Sequence, residues 1–428
     1  MLGQFSDFYN SLDPAPLKRG KQFEHFVLWF LKADPKWATQ VDQVWLWDDW
    51  LPNWGRDCGI DLVFRHKNGD HWAVQAKCYA PDLYITKTDV DKFLSESSRP
   101  IIKHRLLIAT TDLIGANARR VCDEQEKPVI RFLLSDFERA ALDYPANFAA
   151  LPQAKRKPRP ELRDHQHEAR TAVVQGLQTA DRGQLIMACG TGKTYVTLWI
   201  KEQMDAQRTL VLVPSLGLLS QLLREWTFAA TTPFEWLCVC SDESVTKGND
   251  EPIHNPADLA FPVTSDAEEV KRVLGGAGNR VIFSTYQSSA VIAAAQADPA
   301  IPAFDLVVAD EAHRCAGMVG KERSGFTTVL DNAQIRSSKR LFATATPRTY
   351  TSSVHKAAKD RGVEVVGMDN AALFGEVLYA LPFGKAIERK LLTDYRVVII
   401  GVDDPTIAQW IAKRELVTTG TGKVTDAK

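Results

Sequence analysis

The sequence predicts an α/β protein made of successive α/β units. Three observations carry this. Short, nearly continuous apolar runs alternate with stretches of helical spacing on both sides of a proline-rich basic segment, Leu151–Glu161. Asn68-Gly69 joins two strand-like runs, a strong hairpin signal. The length, 428 residues, exceeds one typical domain and fits two to three.

The elements follow in order. Gly20–Lys32 places Phe23, Phe26, Val27, Phe30 and Leu31 at helical spacing. Ile60–Arg65 and His71–Lys77 read as the two strands of the hairpin. Arg105–Thr110 reads as a strand, Gly115–Glu124 as a helix and Val129–Leu134 as a strand. Leu151–Glu161, with three prolines, four basic residues and no apolar period, predicts an exposed linker. Beyond it, Gln184–Ala188, Thr209–Val213, Trp236–Val239, Val281–Ser284, Leu306–Ala309 and Arg340–Ala343 are apolar as buried parallel strands should be. Ser241–Ala267 is polar, carries Pro252, Pro256 and Pro262, and is expected to be a long loop. The expected division is 1–150, a linker at 151–161, a main unit at 162–370, and a further unit beginning at about Ala371 and running incomplete to 428. Trp37, Trp45, Trp47, Trp50 and Trp54 could stack nucleic-acid bases. Core packing and burial at the hairpin edge are commoner uses and are expected here.

Composition narrows the function. A hydrophobic fraction of 45% supports real cores and excludes wholesale disorder. The net charge of -1 excludes a uniformly basic nucleic-acid binder, so DNA contacts must come from local surfaces. Seven cysteines without a CxxC pair argue against a zinc site or disulfide framework, and point to reduced thiols in the cytoplasm. The most apolar stretch, Leu210–Leu223, is too short to span a bilayer and is broken by Pro214, Ser215, Gly217 and Ser220.

Two constellations carry chemistry. In the first, the strand Gln184–Ala188 runs into Cys189-Gly190-Thr191-Gly192-Lys193-Thr194. Glycines there let backbone N–H groups close around phosphate oxygens. Lys193 would reach the outer phosphates and the Thr194 hydroxyl would ligate Mg²⁺. Met187 stands where the strict pattern has its first glycine. Downstream, the apolar strand Asp305–Ala309 ends in Asp310-Glu311-Ala312-His313. Asp310 can hold the same Mg²⁺, and Glu311 can polarise the attacking water.

ACGTGKT, DEAH and Thr344-Ala345-Thr346-Pro347-Arg348, in this order, resemble the superfamily 2 helicases and DNA translocases over Glu161 to about Asn370. The resemblance implies a RecA-like lobe that binds ATP and double-stranded DNA. It implies that Gln166 reads the adenine edge, and that Pro214-Ser215 and Thr285-Tyr286-Gln287 face the nucleic-acid backbone. It also implies that His313, Thr344 and Thr346 couple hydrolysis to movement. The family's second lobe supplies an arginine to the transferring phosphate. No Gln-x-x-Gly-Arg-like segment precedes Lys428, so the chain is expected to be the N-terminal part of a longer polypeptide. Gly420-Thr421-Gly422-Lys423 lacks a preceding buried strand and reads as a tail.

The second constellation is Cys58-Gly59-Ile60-Asp61 followed by Val74-Gln75-Ala76-Lys77. Positions 75 and 77 share a strand face, and hairpin pairing can bring that face to Asp61. Glu24 on the preceding helix, or alternatively Asp57, could complete the group. An acid, an amide oxygen and a lysine can hold a divalent metal and activate water for phosphodiester hydrolysis. GID followed by QAK resembles the PD-(D/E)xK nucleases of the Mrr-like branch over Arg19–Phe137. That implies a restriction-endonuclease-like fold in which Asp61 and Gln75 bind Mg²⁺ and Lys77 positions or activates the water.

The order of the two resemblances is that of single-chain restriction–modification enzymes of the type ISP kind. This implies a methyltransferase and a target-recognition domain beyond the motor. Type III subunits carry their nuclease at the other end, and type I motor subunits usually keep an acid where Gln75 stands. A DNA-remodelling or repair translocase with a non-cleaving DNA-binding front domain is the alternative from another class. A defence effector without a methyltransferase is a further one.

Overall fold

The computed structural model describes residues 3–55, 58–240, 256–319, 325–360, 364–394, 416–418 and 424–426. Asp57 and Gly420–Lys423 lie outside the described residues. The chain divides into two compact units, residues 1–161 with 215–264, and residues 162–214 with 265–428.

The first unit opens with α1 (Phe5–Asn10), α2 (Pro16–Ala33) and α3 (Pro35–Ala38). Pro16 starts α2 at a position where its missing N–H costs nothing, and the Asp34 carboxylate caps α3. There follow β1 (Val41–Leu46), β2 (Leu62–His66), β3 (His71–Lys77), α4 (Lys87–Glu96), β4 (Ile102–Ala109), α5 (Ala116–Asp123) and β5 (Val129–Phe132). The five strands form one sheet in the order β1-β2-β3-β4-β5. The pairs β1–β2 and β2–β3 are antiparallel; β3–β4 and β4–β5 are parallel.

Alternation along the strands splits the core between the two faces. Leu62, Phe64, Trp72 and Val74 pack with Phe23, Phe26 and Phe30 of α2. Val63, Ala73 and Leu107 pack with Val90 and Phe93 of α4 and Ala118 of α5. Trp37, Trp47 and Trp50 are buried in these cores and Trp45 and Trp54 pack against them, as core tryptophans should. The expected helices and strands of this region are all present. The structure adds β1, whose burial does not alternate, and the ten-residue α4.

The stretch expected to be an exposed linker is partly tied down. After α6 (Leu134–Arg139), β6 (Leu142–Asp143) pairs antiparallel with β7 (Lys155–Arg156), and Leu151 is buried. Arg156 Nε donates to the Ala33 carbonyl at 2.8 Å. Lys and Arg at such a place read as solvated in sequence, but the backbone there has ladder partners.

The second unit begins with α7 (Asp164–Thr179), β8 (Arg182–Met187), α8 (Lys193–Gln203) and β9 (Arg208–Val213). The chain then supplies α9 (Leu216–Ala229) and β10 (Glu235–Val239) to the first unit. There, Trp236 Nε1 donates to Thr39 Oγ1 at 2.9 Å, and Gln40 Nε2 donates to the Trp236 carbonyl at 2.9 Å. Arg131 of β5, 1% exposed, is ion-paired with both Asp123 and Asp258, and Arg119 reaches Asp258 at 2.9 Å. Residues 241–255 of the expected long loop lie outside the described residues, and its end, Leu259–Phe261, is buried.

The second unit resumes with α10 (Ala267–Gly275), β11 (Arg280–Thr285), α11 (Ser289–Gln296), β12 (Phe304–Asp310), β13 (Gly317–Val319) and β14 (Ser337–Thr344). It continues with α12 (Ser352–Asp360), β15 (Glu364–Val366), α13 (Ala371–Phe374), β16 (Glu376–Leu381) and α14 (Phe383–Glu388). Its strands pair in parallel in the order β11-β9-β12-β14-β8-β16. This corrects the boundary expected at Ala371. Strand β16 pairs with β8 from Glu376 to Leu381, so the P-loop sheet extends past the expected start of a second lobe. Leu378 fills the space beside Gly176 and Gly183, which explains why neither position carries a side chain. Among the described residues, no helix is long and apolar enough to cross a membrane.

Candidate active sites

The hairpin β2–β3 builds the first site. Leu62 pairs with Val74, and Asp61 N–H donates to the Val74 carbonyl at 2.9 Å. The ladder's last pair is Leu62–Val74, so Asp61 and Gln75 each lie one residue beyond it at this end of the hairpin. Asp61 Oδ2 accepts from Ala76 N–H at 2.7 Å. Burial pushes the Asp61 carboxyl up to about 7; the Ala76 N–H opposes this, the Glu24 carboxylate adds to it, and Lys77 and Lys21 oppose it.

Gln75 is 3% exposed. Its Nε2 donates to the Asp89 carbonyl of α4 at 3.1 Å, while its Oε1 is buried without a hydrogen-bond partner. A buried acceptor left unpaired is costly, and a cation beside it removes that cost. Lys77 follows on the same strand face, half-buried. Glu24 is bonded to Lys21 Nζ at 2.8 Å and makes itself felt at Asp61 through its charge. Among the described residues, no three His, Cys, Asp or Glu side chains converge as a metal cluster. The groups here that could hold a divalent metal are one carboxylate, Asp61, and one amide oxygen, that of Gln75.

The second site lies at the C-terminal ends of β8, β12 and β14, where open parallel sheets bind ligands. Gly190 and Gly192 have φ of +81° and +85°, which favour glycine. A Cβ on Gly192 would also meet Gln166 Nε2 at 2.2 Å. Gly192 caps α8, so the positive end of that helix faces the loop. Lys193 Nζ lies 2.9 Å from Glu311 Oε1 and 3.1 Å from Asp310 Oδ1. Burial alone would lower the Lys193 pKa, but the two carboxylates outweigh it and raise it. Asp310 is 7% exposed and burial raises its carboxyl. Its Oδ1 faces the Lys193 ammonium, so the position already accommodates a cation.

Glu311 adopts the left-handed conformation, φ +50°, uncommon for a residue with a side chain. The turn lets consecutive acids both face Lys193. Its carboxyl is lowered to about 2, first by His313 and then by Lys193. His313 Nδ1 sits 3.3 Å from Glu311 Oε2 and 3.0 Å from Thr344 Oγ1, and Thr346 N–H donates to that hydroxyl at 3.2 Å. The acids of β12 are therefore linked side chain by side chain to the turn after β14.

Two expectations need qualification. Gln166 Oε1 accepts from Arg163 N–H at 2.9 Å, and its Nε2 donates to the Thr191 carbonyl at 3.1 Å. Its amide braces the P-loop, together with His165 Nε2, 2.9 Å from the same carbonyl. His165 had no signal in the sequence beyond its place next to Gln166. Thr285 and Tyr286, expected to face a nucleic-acid backbone, are fully buried, and Tyr286 Oη donates to the Asp310 carbonyl at 2.8 Å. Of the three residues only Gln287 is exposed. Ser215 caps α9, accepting from Leu218 N–H at 3.3 Å.

Residues 32–154 match a family described as restriction endonuclease, of Mrr type, and residues 159–349 match one described as type III restriction enzyme, res subunit. A solved structure of the ATP-dependent type ISP restriction-modification enzyme LlaBIII bound to DNA is similar over 89% of this chain and 25% of that one. The identity is 32% and the TM-score 0.74. The probable helicase A859L of African swine fever virus is 30% identical over 258 residues, 60% of this chain and 26% of that protein. The chain thus spans about a quarter of the length of these relatives. It joins an N-terminal Mrr-like nuclease domain to a ResIII-type superfamily 2 motor, a pairing that matches type I-like single-chain restriction enzymes.

Proposed function

We propose that this chain is the cleaving and ATP-driven part of a cytoplasmic restriction system: the motor moves along double-stranded DNA and the hairpin site cuts it with Mg²⁺. The observation that supports this best is the end of the hairpin that carries Asp61, Gln75 and Lys77, where the Asp61 carboxylate accepts from Ala76 N–H and the Gln75 oxygen is buried and unpaired. Surface charges on an ordinary hairpin would not need such an arrangement.

Asp61 and Gln75 would hold the Mg²⁺, which when bound supplies charge to the phosphate and lowers the pKa of water. Lys77 orients the attacking water and offsets charge developing on the phosphate. In the motor, Lys193 leaves the two acids for the outer phosphates of ATP. Asp310 and Thr194 would hold that nucleotide's Mg²⁺, and Glu311 accepts the proton of the attacking water. Departure of Lys193 alters the charge beside His313, and the His313–Thr344–Thr346 chain carries that change to the β14 turn. Modification of the host's own DNA and recognition of the target would come from methyltransferase and target-recognition domains outside these residues, as in the resemblance to the type ISP enzymes.

The test is nicking of supercoiled plasmid by the chain in Mg²⁺ beside Lys77→Ala. Loss of nicking in Lys77→Ala alone is expected. Equal nicking by both would remove the hairpin from the mechanism, and nicking by neither would favour a front domain that only binds DNA.

A further inference from the structure

Gln75 stands where a carboxylate would serve a metal without regard to orientation. A carboxylate offers two equivalent oxygens, whereas an amide offers one oxygen and one NH₂. Rotated by half a turn, the Gln75 amide would aim hydrogens at the cation. Something must therefore set its orientation, and the hairpin itself does not. Among the described residues, the one hydrogen-bond partner of the Gln75 side chain is the Asp89 carbonyl, which accepts from Nε2 at 3.1 Å. A carbonyl oxygen accepts and cannot donate, so it selects the NH₂ and turns Oε1 the other way.

The Asp89 carbonyl is held by an unusual concentration of bonds on its own side chain. Tyr79 Oη donates to Asp89 Oδ1 at 2.6 Å. Asp89 Oδ2 accepts from Thr86 N–H and Thr86 Oγ1, both at 2.7 Å, closing a capping box at the start of α4. Tyr79 is itself fixed, its carbonyl accepting from Thr110 Oγ1 at 2.6 Å and from Tyr9 Oη at 3.0 Å. The chain of contacts runs from a tyrosine two residues past Lys77, through the first turn of a helix, to the amide that would face the metal.

We infer that Tyr79 and Asp89 are positioning residues that fix the amide of Gln75 with its oxygen toward the Mg²⁺ site. The inference rests on the nuclease reading above and deepens it. It has an unexpected corollary. Gln75→Glu, which installs an acid at the metal position, weakens the site, because a carboxylate oxygen would then face the Asp89 carbonyl with no proton between them.

The experiment uses Mn²⁺ as the probe on the full chain without nucleotide, with free Mn²⁺ read by electron paramagnetic resonance. The binding that Asp61→Asn removes defines the site. Tyr79→Phe, which deletes one hydroxyl and keeps the ring, is expected to weaken that binding about fivefold to tenfold, and Gln75→Glu to weaken it as well. In a Gln75→Ala background Tyr79→Phe should change nothing, since its route to the metal is gone. Unchanged affinity in Tyr79→Phe, an equal loss in the Gln75→Ala background, or tighter binding by Gln75→Glu would overturn the inference while leaving the nuclease reading in place. If Asp61→Asn removes no Mn²⁺, the nuclease reading itself falls.

Discussion

Asp61→Asn should make the metal-free nuclease domain more stable, not less. Burial raises the Asp61 carboxyl from 3.8 to about 7, so the folded domain holds a proton there that the unfolded chain releases. Between these values the folded state binds more protons, and stability falls as pH rises. The loss starts near pH 4 and is complete above pH 7. About three pKa units at ~1.4 kcal/mol each set an upper bound of about 4 kcal/mol. The Ala76 N–H bond and the attraction of Lys77 and Lys21 are already within that shift. An asparagine can keep the Ala76 bond, carries no charge, and escapes the penalty. It loses the stronger bond a charged acceptor makes, so about 2 kcal/mol is the expected gain at pH 8. For a domain of this size that is roughly 4–8 °C in melting temperature. The assay is thermal unfolding followed by tryptophan fluorescence, in EDTA, at pH 8 and pH 4.5. Asp61→Asn should melt higher at pH 8 and nearly with the wild type at pH 4.5. Added Mg²⁺ should raise the wild type and not the variant. A variant that melts lower at pH 8, or whose gain is the same at both pH values, refutes the argument that an enclosed carboxylate awaits a cation.

Lys77→Ala should lose at least a hundredfold in plasmid nicking while keeping Mn²⁺ affinity within about threefold, because Lys77 acts on water and phosphate and not as a metal ligand; a matching loss of Mn²⁺ binding would contradict this. Lys193→Ala should abolish ATP binding, measured with a fluorescent nucleotide, and leave nicking by the hairpin site unchanged, since the two sites belong to different units; loss of both in a folded protein would show them interdependent. Asp258→Ala removes a partner of Arg131, which is 1% exposed, and of Arg119. With Asp123 still paired to Arg131, the cost should be about 2–3 kcal/mol, below the 3–5 typical of a buried charge left alone. Limited proteolysis should then cut within 215–264 sooner, and unaltered protection would mean that this ion-pair network contributes little.

Much of this protein is local in its sequence and therefore legible there. A P-loop needs a strand, a glycine turn and a helix start within about ten residues, and Gln184–Thr194 holds all three. The acids of β12 follow their own strand, and the hairpin follows from Asn68-Gly69 and two runs of alternating side chains. The expectation that Asp61, Gln75 and Lys77 lie at one end of the hairpin follows from strand period and turn length.

What the tertiary structure decided is long-range. Strand β16 reads in sequence like the start of something new, yet it closes the edge of the P-loop sheet, because a parallel partner for β8 can come from any later point in the chain. Segment 215–264 follows a motor strand but packs in the nuclease unit, through buried charges such as Arg131–Asp258 that sequence would leave in solvent. Thr285 and Tyr286, which the resemblance set facing a nucleic-acid backbone, are core, since burial depends on what lies across from them. Gln166 and Gln75 show the same limit at the sites. Both were legible as candidate site residues, but the direction each amide faces depends on a carbonyl supplied from elsewhere, Thr191 for one and Asp89 for the other. Sequence names the donor and acceptor groups; only the packed fold decides which of them are paired to each other and which remain for a ligand.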